Sequence, residues 1–218
     1  MRFVGADVPE EFGGLGLDKI SSAIITEKFS RAGSFSLSMA PMSALDLCQC
    51  CSETKRKETY LPGLASGRTI AAYALTEPGS GSDALGAKTT AVLNEAGTHY
   101  VLNRGKNSGS QTPHLPTSLS VIRKLMSEHF SAFIVEKDFP GVKTGPEEKK
   151  MGIKGSSTRT LILEDAQVPK ENLLGEAGRG HVIAFNILNI GRYKLAVGTV
   201  GASKRVIQLS AEYANQRK

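Results

Sequence analysis

Ala72-Tyr73-Ala74-Leu75-Thr76-Glu77-Pro78-Gly79-Ser80-Gly81-Ser82-Asp83 is the stretch whose reading decides the fold. An apolar run, Thr69-Ile70-Ala71-Ala72, leads into it and reads as a strand. Pro78, Gly79 and Gly81 then break regular structure and let backbone approach a ligand closely. Thr76, Ser80 and Ser82 add hydroxyls that donate and accept hydrogen bonds. Such a loop suits a flat polar heterocycle or a phosphate. An ordinary Gly/Ser turn is the plain alternative.

The 218 residues are 40% hydrophobic and 22% charged, the balance of an ordinary soluble chain with enough core to fold as one large domain or two small ones. The net charge of +6 is spread among acids rather than clustered, which argues against a nucleic-acid surface. No apolar stretch approaches the roughly 20 residues needed to span a bilayer. No basic head followed by an apolar core opens the chain, so a reduced, cytoplasmic setting is expected.

Upstream, Val8-Pro9-Glu10-Glu11-Phe12-Gly13-Gly14-Leu15-Gly16 reads as a Gly-rich loop leading into a helix. Asp18 caps that helix, Leu17, Ile20, Ile24 and Ala32 form its inner face, and Gly33 ends it. A second helix is expected over Ser52–Leu61, capped by Ser52, stopped by Pro62-Gly63, with Lys55, Arg56, Lys57 and Glu58 as a solvated face. Downstream, strand-like runs at 88–93, 99–103, 132–135 and 158–163 with turn residues between them predict a compact β-domain. From about Gly180 to Gln216 apolar residues recur at spacings of three and four, which predicts a helix. Gly191, Gly198 and Gly201 weaken it locally and permit close approach of a neighbour or ligand.

The loop resembles the flavin-binding signature of the acyl-CoA dehydrogenases, aromatic-x-Leu/Val-Thr-Glu-Pro-x-x-Gly-Ser-Asp, with its fixed positions all present in 73–83. The opening Pro-Glu-x-x-Gly-Gly-x-Gly, Lys150-Met151-Gly152-Ile153-Lys154-Gly155, Val168-Pro169 through Gly175, and Asn189-Ile190-Gly191-Arg192 are also similar to family segments, the last to the very-long-chain and related bacterial branches. The resemblance implies an α+β fold: a partial helical domain over 1–69, a middle β-domain over 70–175, and the first part of a helical bundle over 176–218. It implies FAD as cofactor, acyl-CoA as substrate, electron-transfer flavoprotein as electron acceptor, and a dimer or tetramer. In the family FAD takes hydride from the β-carbon while a Glu removes the α-proton.

By position, Tyr73, Leu75 and Thr76 would line the flavin, and Ser82 would sit near both flavin and the CoA portion of the substrate. Asn189 and Arg192 would contact substrate, although Arg192 also reads as a surface ion-pair partner and Tyr73 alone as core. Arg217 matches an arginine that reaches FAD across a subunit interface. Glu77 and Asp83 read as acceptors that fix the loop, and no residue is nominated as catalytic base: where a minority of the family place it, this chain has Gly191. The family's preceding helical stretch and most of its bundle lie outside the sequence, which reads as truncated at both ends.

Two stretches depart from the pattern. Met39–Cys51 holds Cys48, Cys50 and Cys51 without a fourth ligand at any familiar metal spacing, so no metal site is assigned. Lys106–Met126 has two prolines and little periodicity where the family carries a strand with Trp-Ile-Thr-Asn. Reading the codons of Ser108–Thr117 one frame over permits Trp-Ile-Thr-Asn and onward, and the same shift over Met39–Gln49 also permits a family-like run. Compensated frameshifts are the expectation, and the encoding DNA tests it. In that case flavin binding is weak, because Ser108 stands where an aromatic ring belongs and the neighbouring strand is lost.

Overall fold

The structure is a computed structural model; it describes residues 5–32, 54–103, 105–110, 119–125, 130–152, 154 and 157–217, with 105–110 and 119–125 as backbone. Ser52, Gly33 and the cysteine stretch therefore lie outside the described residues, as does part of 106–126.

Helix α1 (Lys19–Ser30) starts where its cap predicts: the Ser21 N–H donates to Asp18 Oδ1 at 2.7 Å. Its inner face is not the apolar one. Ile20 and Ile24 are 70% and 54% exposed, Leu17 and Ala32 are exposed too, and the buried positions are Ser22, Thr26 and Ser30. The reason is the neighbour. Helix α3 (Gly180–Gln216) lies so close that a Cβ on Gly201 would come within 2.1 Å of the Glu27 carbonyl oxygen. Only small side chains fit that seam. Their hydroxyls stay satisfied by donating back along the helix, Thr26 to the Ser22 carbonyl at 2.9 Å and Ser30 to the Thr26 carbonyl at 2.8 Å.

Helix α2 (Thr54–Ser66) runs through Pro62 rather than stopping there. Burial of Leu61, Leu64 and Ala65 around the proline offsets the lost N–H. The helix ends at Gly67, whose φ of 74° suits glycine and whose N–H donates to the Leu64 carbonyl. Lys55 and Glu58 are exposed as read, whereas Arg56 and Lys57 are half-buried.

Among the described residues ten strands follow: β1 (Ala72–Ala74), β2 (Thr90–Leu93), β3 (His99–Asn103), β4 (Gly105–Ser110), β5 (Leu119–Leu125), β6 (Phe130–Val135), β7 (Val142–Glu147), β8 (Thr158–Leu163), β9 (Ala166–Pro169) and β10 (Leu173–Leu174). One sheet has the order β10-β6-β5-β2-β3-β9 with β1 also on β5; the other is β4-β8-β7. Every residue of β6 is buried, so it is the strand that joins the two cores. Phe130, Ala132 and Ile134 face a cluster with α2 and α3, while Phe133 and Val135 face Tyr100, Leu161 and Leu163. The Tyr100 and Phe133 rings meet edge-on at 5.0 Å.

The expected loss of the strand near Ser108 is not seen. β4 forms and pairs antiparallel with β8 along its whole length, Ser108 opposite Thr160. Ladder bonds use backbone groups, so an unfamiliar side-chain sequence does not forbid them. Helix α3 spans the predicted range and continues through all three glycines; Phe185, Val200, Val206, Ile207 and Leu209 on it are exposed.

Candidate functional site

β1 and β2 lie on the same edge of β5: both pair with it in parallel, β1 alongside 119–121 and β2 alongside 124–125. The chain between them leaves the sheet after Ala74 and returns at Thr90, so residues 75–89 form a loop projecting from one interrupted edge. Glu77 closes the base of that loop. Its buried carboxylate accepts from the Lys88 N–H at 2.7 Å and the Thr89 N–H at 3.2 Å.

Within the loop, Glu77 and Ser80 exchange backbone hydrogen bonds at 3.0 and 3.1 Å, which folds Pro78-Gly79 into a tight turn. Asp83 caps the short helical turn Ala84–Gly86 by accepting from the Gly86 N–H at 3.2 Å. Both acids thus hold the loop, as their reading required. The Ser80 hydroxyl donates to the Asp83 carbonyl. Ser82 and Thr76 are both exposed, and no described atom lies within 4 Å of where a Cβ on Gly79 or Gly81 would stand. The loop therefore offers hydroxyls beside open space, a donor set that fits a planar polar heterocycle.

Tyr73 and Leu75 pack with Ile183 against the first core cluster, Tyr73 half-buried. The Tyr73 hydroxyl lies 3.4 Å from the Ala184 carbonyl, which ties the root of the loop to α3. β4 runs beside β1, bringing its backbone near the same root. Asn189 and Arg192 stand together on α3, the guanidinium donating to Asn189 Oδ1 at 2.8 Å. Arg217 is brought to none of these. It follows the last turn of α3, about 50 Å along the axis from Ala184, and its guanidinium sits on the Tyr213 ring. Met151 in the Lys150–Gly155 element is fully exposed. Among the described residues no cluster of His, Cys, Asp and Glu is arranged to hold a metal, and no helix is long and apolar enough to cross a membrane.

Residues 1–68 match the acyl-CoA dehydrogenase N-terminal domain and residues 72–166 the middle domain of the same enzymes. The chain belongs to the acyl-CoA dehydrogenase family. Over its whole length it is 72% identical to a probable acyl-CoA dehydrogenase of Bacillus subtilis, covering 37% of that protein. It is 37% identical to the mitochondrial very long-chain specific acyl-CoA dehydrogenase of Macaca fascicularis, with 98% of the chain matched to 34% of that protein. An acyl-CoA dehydrogenase from Bacillus anthracis, solved in complex with FAD, superposes with a TM-score of 0.93 at 63% identity, over 100% of this chain and 37% of that one. The chain thus spans about a third of the length of these relatives.

Within the family fold, two features escaped sequence reasoning. The Ala184 carbonyl meets Tyr73 through backbone, which carries no residue signature. A buried ion pair between Lys194 and Asp7 also went unread, although a lysine spaced three and four residues from Gly191 and Gly198 on a close-packed helix was a visible signal.

Proposed function

We propose that this chain forms the flavin- and thioester-binding part of an FAD-dependent acyl-CoA dehydrogenase acting in α,β-dehydrogenation of acyl-CoA during fatty-acid β-oxidation. The observation that carries the reading is the loop clamped by Glu77, which sets Thr76 and Ser82 at the open side of a rooted Tyr73 and Leu75. In this reading Tyr73, Leu75 and Thr76 line the flavin, with the Thr76 hydroxyl donating to the ring. Ser82 serves flavin and CoA together, and Asn189 and Arg192 hold the thioester from α3. Arg217 serves the flavin of a second subunit, which accords with its distance from the chain's own loop.

The bound flavin supplies a two-electron acceptor. This chain's residues bind, orient and exclude water; a proton leaving the α-carbon needs a carboxylate about 3 Å away with a matched pKa. Glu77 and Asp83 are engaged by backbone N–H groups, and α3 presents Gly191 beside Arg192. The 218-residue chain alone is therefore read as binding without turning over, within an assembly of two or four subunits in the cytoplasm that passes electrons to an electron-transfer flavoprotein. The division into 1–69, 70–175 and 176–218 belongs to the same proposal.

Titration of the purified chain with FAD and octanoyl-CoA, followed by an artificial-acceptor assay, tests it. Thioester binding that is lost in Arg192→Ala supports the reading. Turnover by this chain would show that a base had been overlooked, and no binding of either compound would remove the site assignment.

A further inference from the structure

The seam between α1 and α3 is built almost wholly of small residues. From Gly191 onward the buried positions of α3 are Gly191, Lys194, Gly198 and Gly201; on α1 they are Ser22, Thr26 and Ser30, spaced by four. Three of these α3 positions are glycine and all three α1 positions are small, so sliding one helix by a turn, about 5.4 Å, meets little bulk to oppose it. Shape alone leaves the register poorly specified.

Lys194 is the exception among these small residues. Its side chain is 3% exposed, and its Nζ lies 2.9 Å from Oδ2 of Asp7, itself 11% exposed. The same oxygen accepts from the Ser22 hydroxyl at 2.9 Å. Asp7 sits in the opening loop between Ala6 and Val8, both fully buried, so the carboxylate joins loop, α1 and α3 at one point. Its other oxygen is buried with no hydrogen-bond partner among the described residues. Burying two charges is an expensive way to gain stability, since packed apolar residues of similar size often do as well. What a single buried polar position in a repetitive helical seam supplies is register. The outer pairs, Lys204 with Glu27 and Arg31 with Gln208, lie nearer solvent and can follow a slip.

We propose that the Lys194–Asp7 pair is a positioning lock, which sets the register of α3 against α1 and the opening loop and so sets where Asn189 and Arg192 stand. Those two residues lie roughly 140° and 200° around the helix from Lys194, so the lock holds the back of the segment whose front they occupy. The second half of the proposal rests on their role as thioester ligands.

The test compares Lys194→Met, which strands a buried carboxylate and lowers the urea midpoint, with Lys194→Met/Asp7→Leu, which removes both charges. Nitroxide labels at Lys28→Cys and Ser203→Cys, in a chain with Cys48, Cys50 and Cys51 changed to serine, report the α1–α3 distance. The parent gives one narrow distance. The double variant regains the parent's urea midpoint but shows a second distance, and its affinity for octanoyl-CoA falls about tenfold. A single unchanged distance in the double variant overturns the lock. Two distances with unchanged octanoyl-CoA affinity overturn the link to Asn189 and Arg192. Two distances in a chain whose parent never binds octanoyl-CoA uphold the lock and remove the thioester reading instead.

Discussion

Replacing Glu77 by alanine should open the loop that carries the site. Its carboxylate takes two backbone N–H groups, Lys88 at 2.7 Å and Thr89 at 3.2 Å, across the loop's base. Losing the acceptor affects the two donors differently. Lys88 is exposed, so water replaces the lost acceptor and about 0.5–1.5 kcal/mol goes with the bond. Thr89 is wholly buried, so its N–H is stranded at a cost of about 1–3 kcal/mol. Together the change removes roughly 2–4 kcal/mol, a large share of the roughly 5–15 kcal/mol typical of a domain. Glu77→Gln keeps one acceptor oxygen but sets an NH₂ against the other donor, so its cost should be about half.

Urea unfolding ranks the three proteins, and amide exchange at Lys88 and Thr89 localises the effect. Exchange there should accelerate in Glu77→Ala far more than in β6, every residue of which is buried. An alanine variant within about 0.5 kcal/mol of the parent, or a glutamine variant weaker than the alanine one, would refute the clamp.

Gly201→Ala should lower stability by about 1–2 kcal/mol, because an overlap at 2.1 Å from the Glu27 carbonyl outweighs the roughly 1 kcal/mol that alanine gains in a helix; a raised urea midpoint would contradict the close seam. Glu27 is held below the ordinary carboxylate range chiefly by the hydrogen bond from Lys204. Its contribution to α1–α3 docking is therefore complete above that range and lost as pH falls through the lowered value, and Glu27→Gln should flatten that part of an acid titration followed by circular dichroism. Ser108→Trp, Gly109→Ile, Ser110→Thr and Gln111→Asn together should tighten FAD binding, since an aromatic contact contributes about 0.5–1.5 kcal/mol beyond its area, without producing turnover. Equal FAD affinity before and after would count against Ser108 as the weak point, and codons at 108–117 that do not permit the family run would end the frameshift reading.

The helices and strands were largely legible because each carries its own local signal. Asp18 before a helix, and alternating burial in His99–Asn103, need no tertiary knowledge. What was not legible is which face of α1 turns inward. Ile20 and Ile24 look like core by hydropathy, and Ser22 and Thr26 look like surface. The answer depends on a helix far downstream, whose glycine brings backbone to within a Cβ's reach and admits only small side chains. Hydropathy ranks residues by their cost in water; it does not rank them by the room a neighbour leaves.

The site divides along the same line. Glu77 and Asp83 could be read as loop-fixing from the motif because their partners lie close by in the chain. That β1 and β2 share one edge of β5, which is what makes the loop project, depends on a strand reached only through an unfamiliar stretch of sequence. Backbone pairing forms it, so the scaffold of the loop stands with Ser108 in place. Scaffold and ligand contact are thus separable in this chain. The Glu77 variants perturb the first and the Ser108 substitutions the second, so a flavin affinity that responds to only one of them identifies which of the two limits binding.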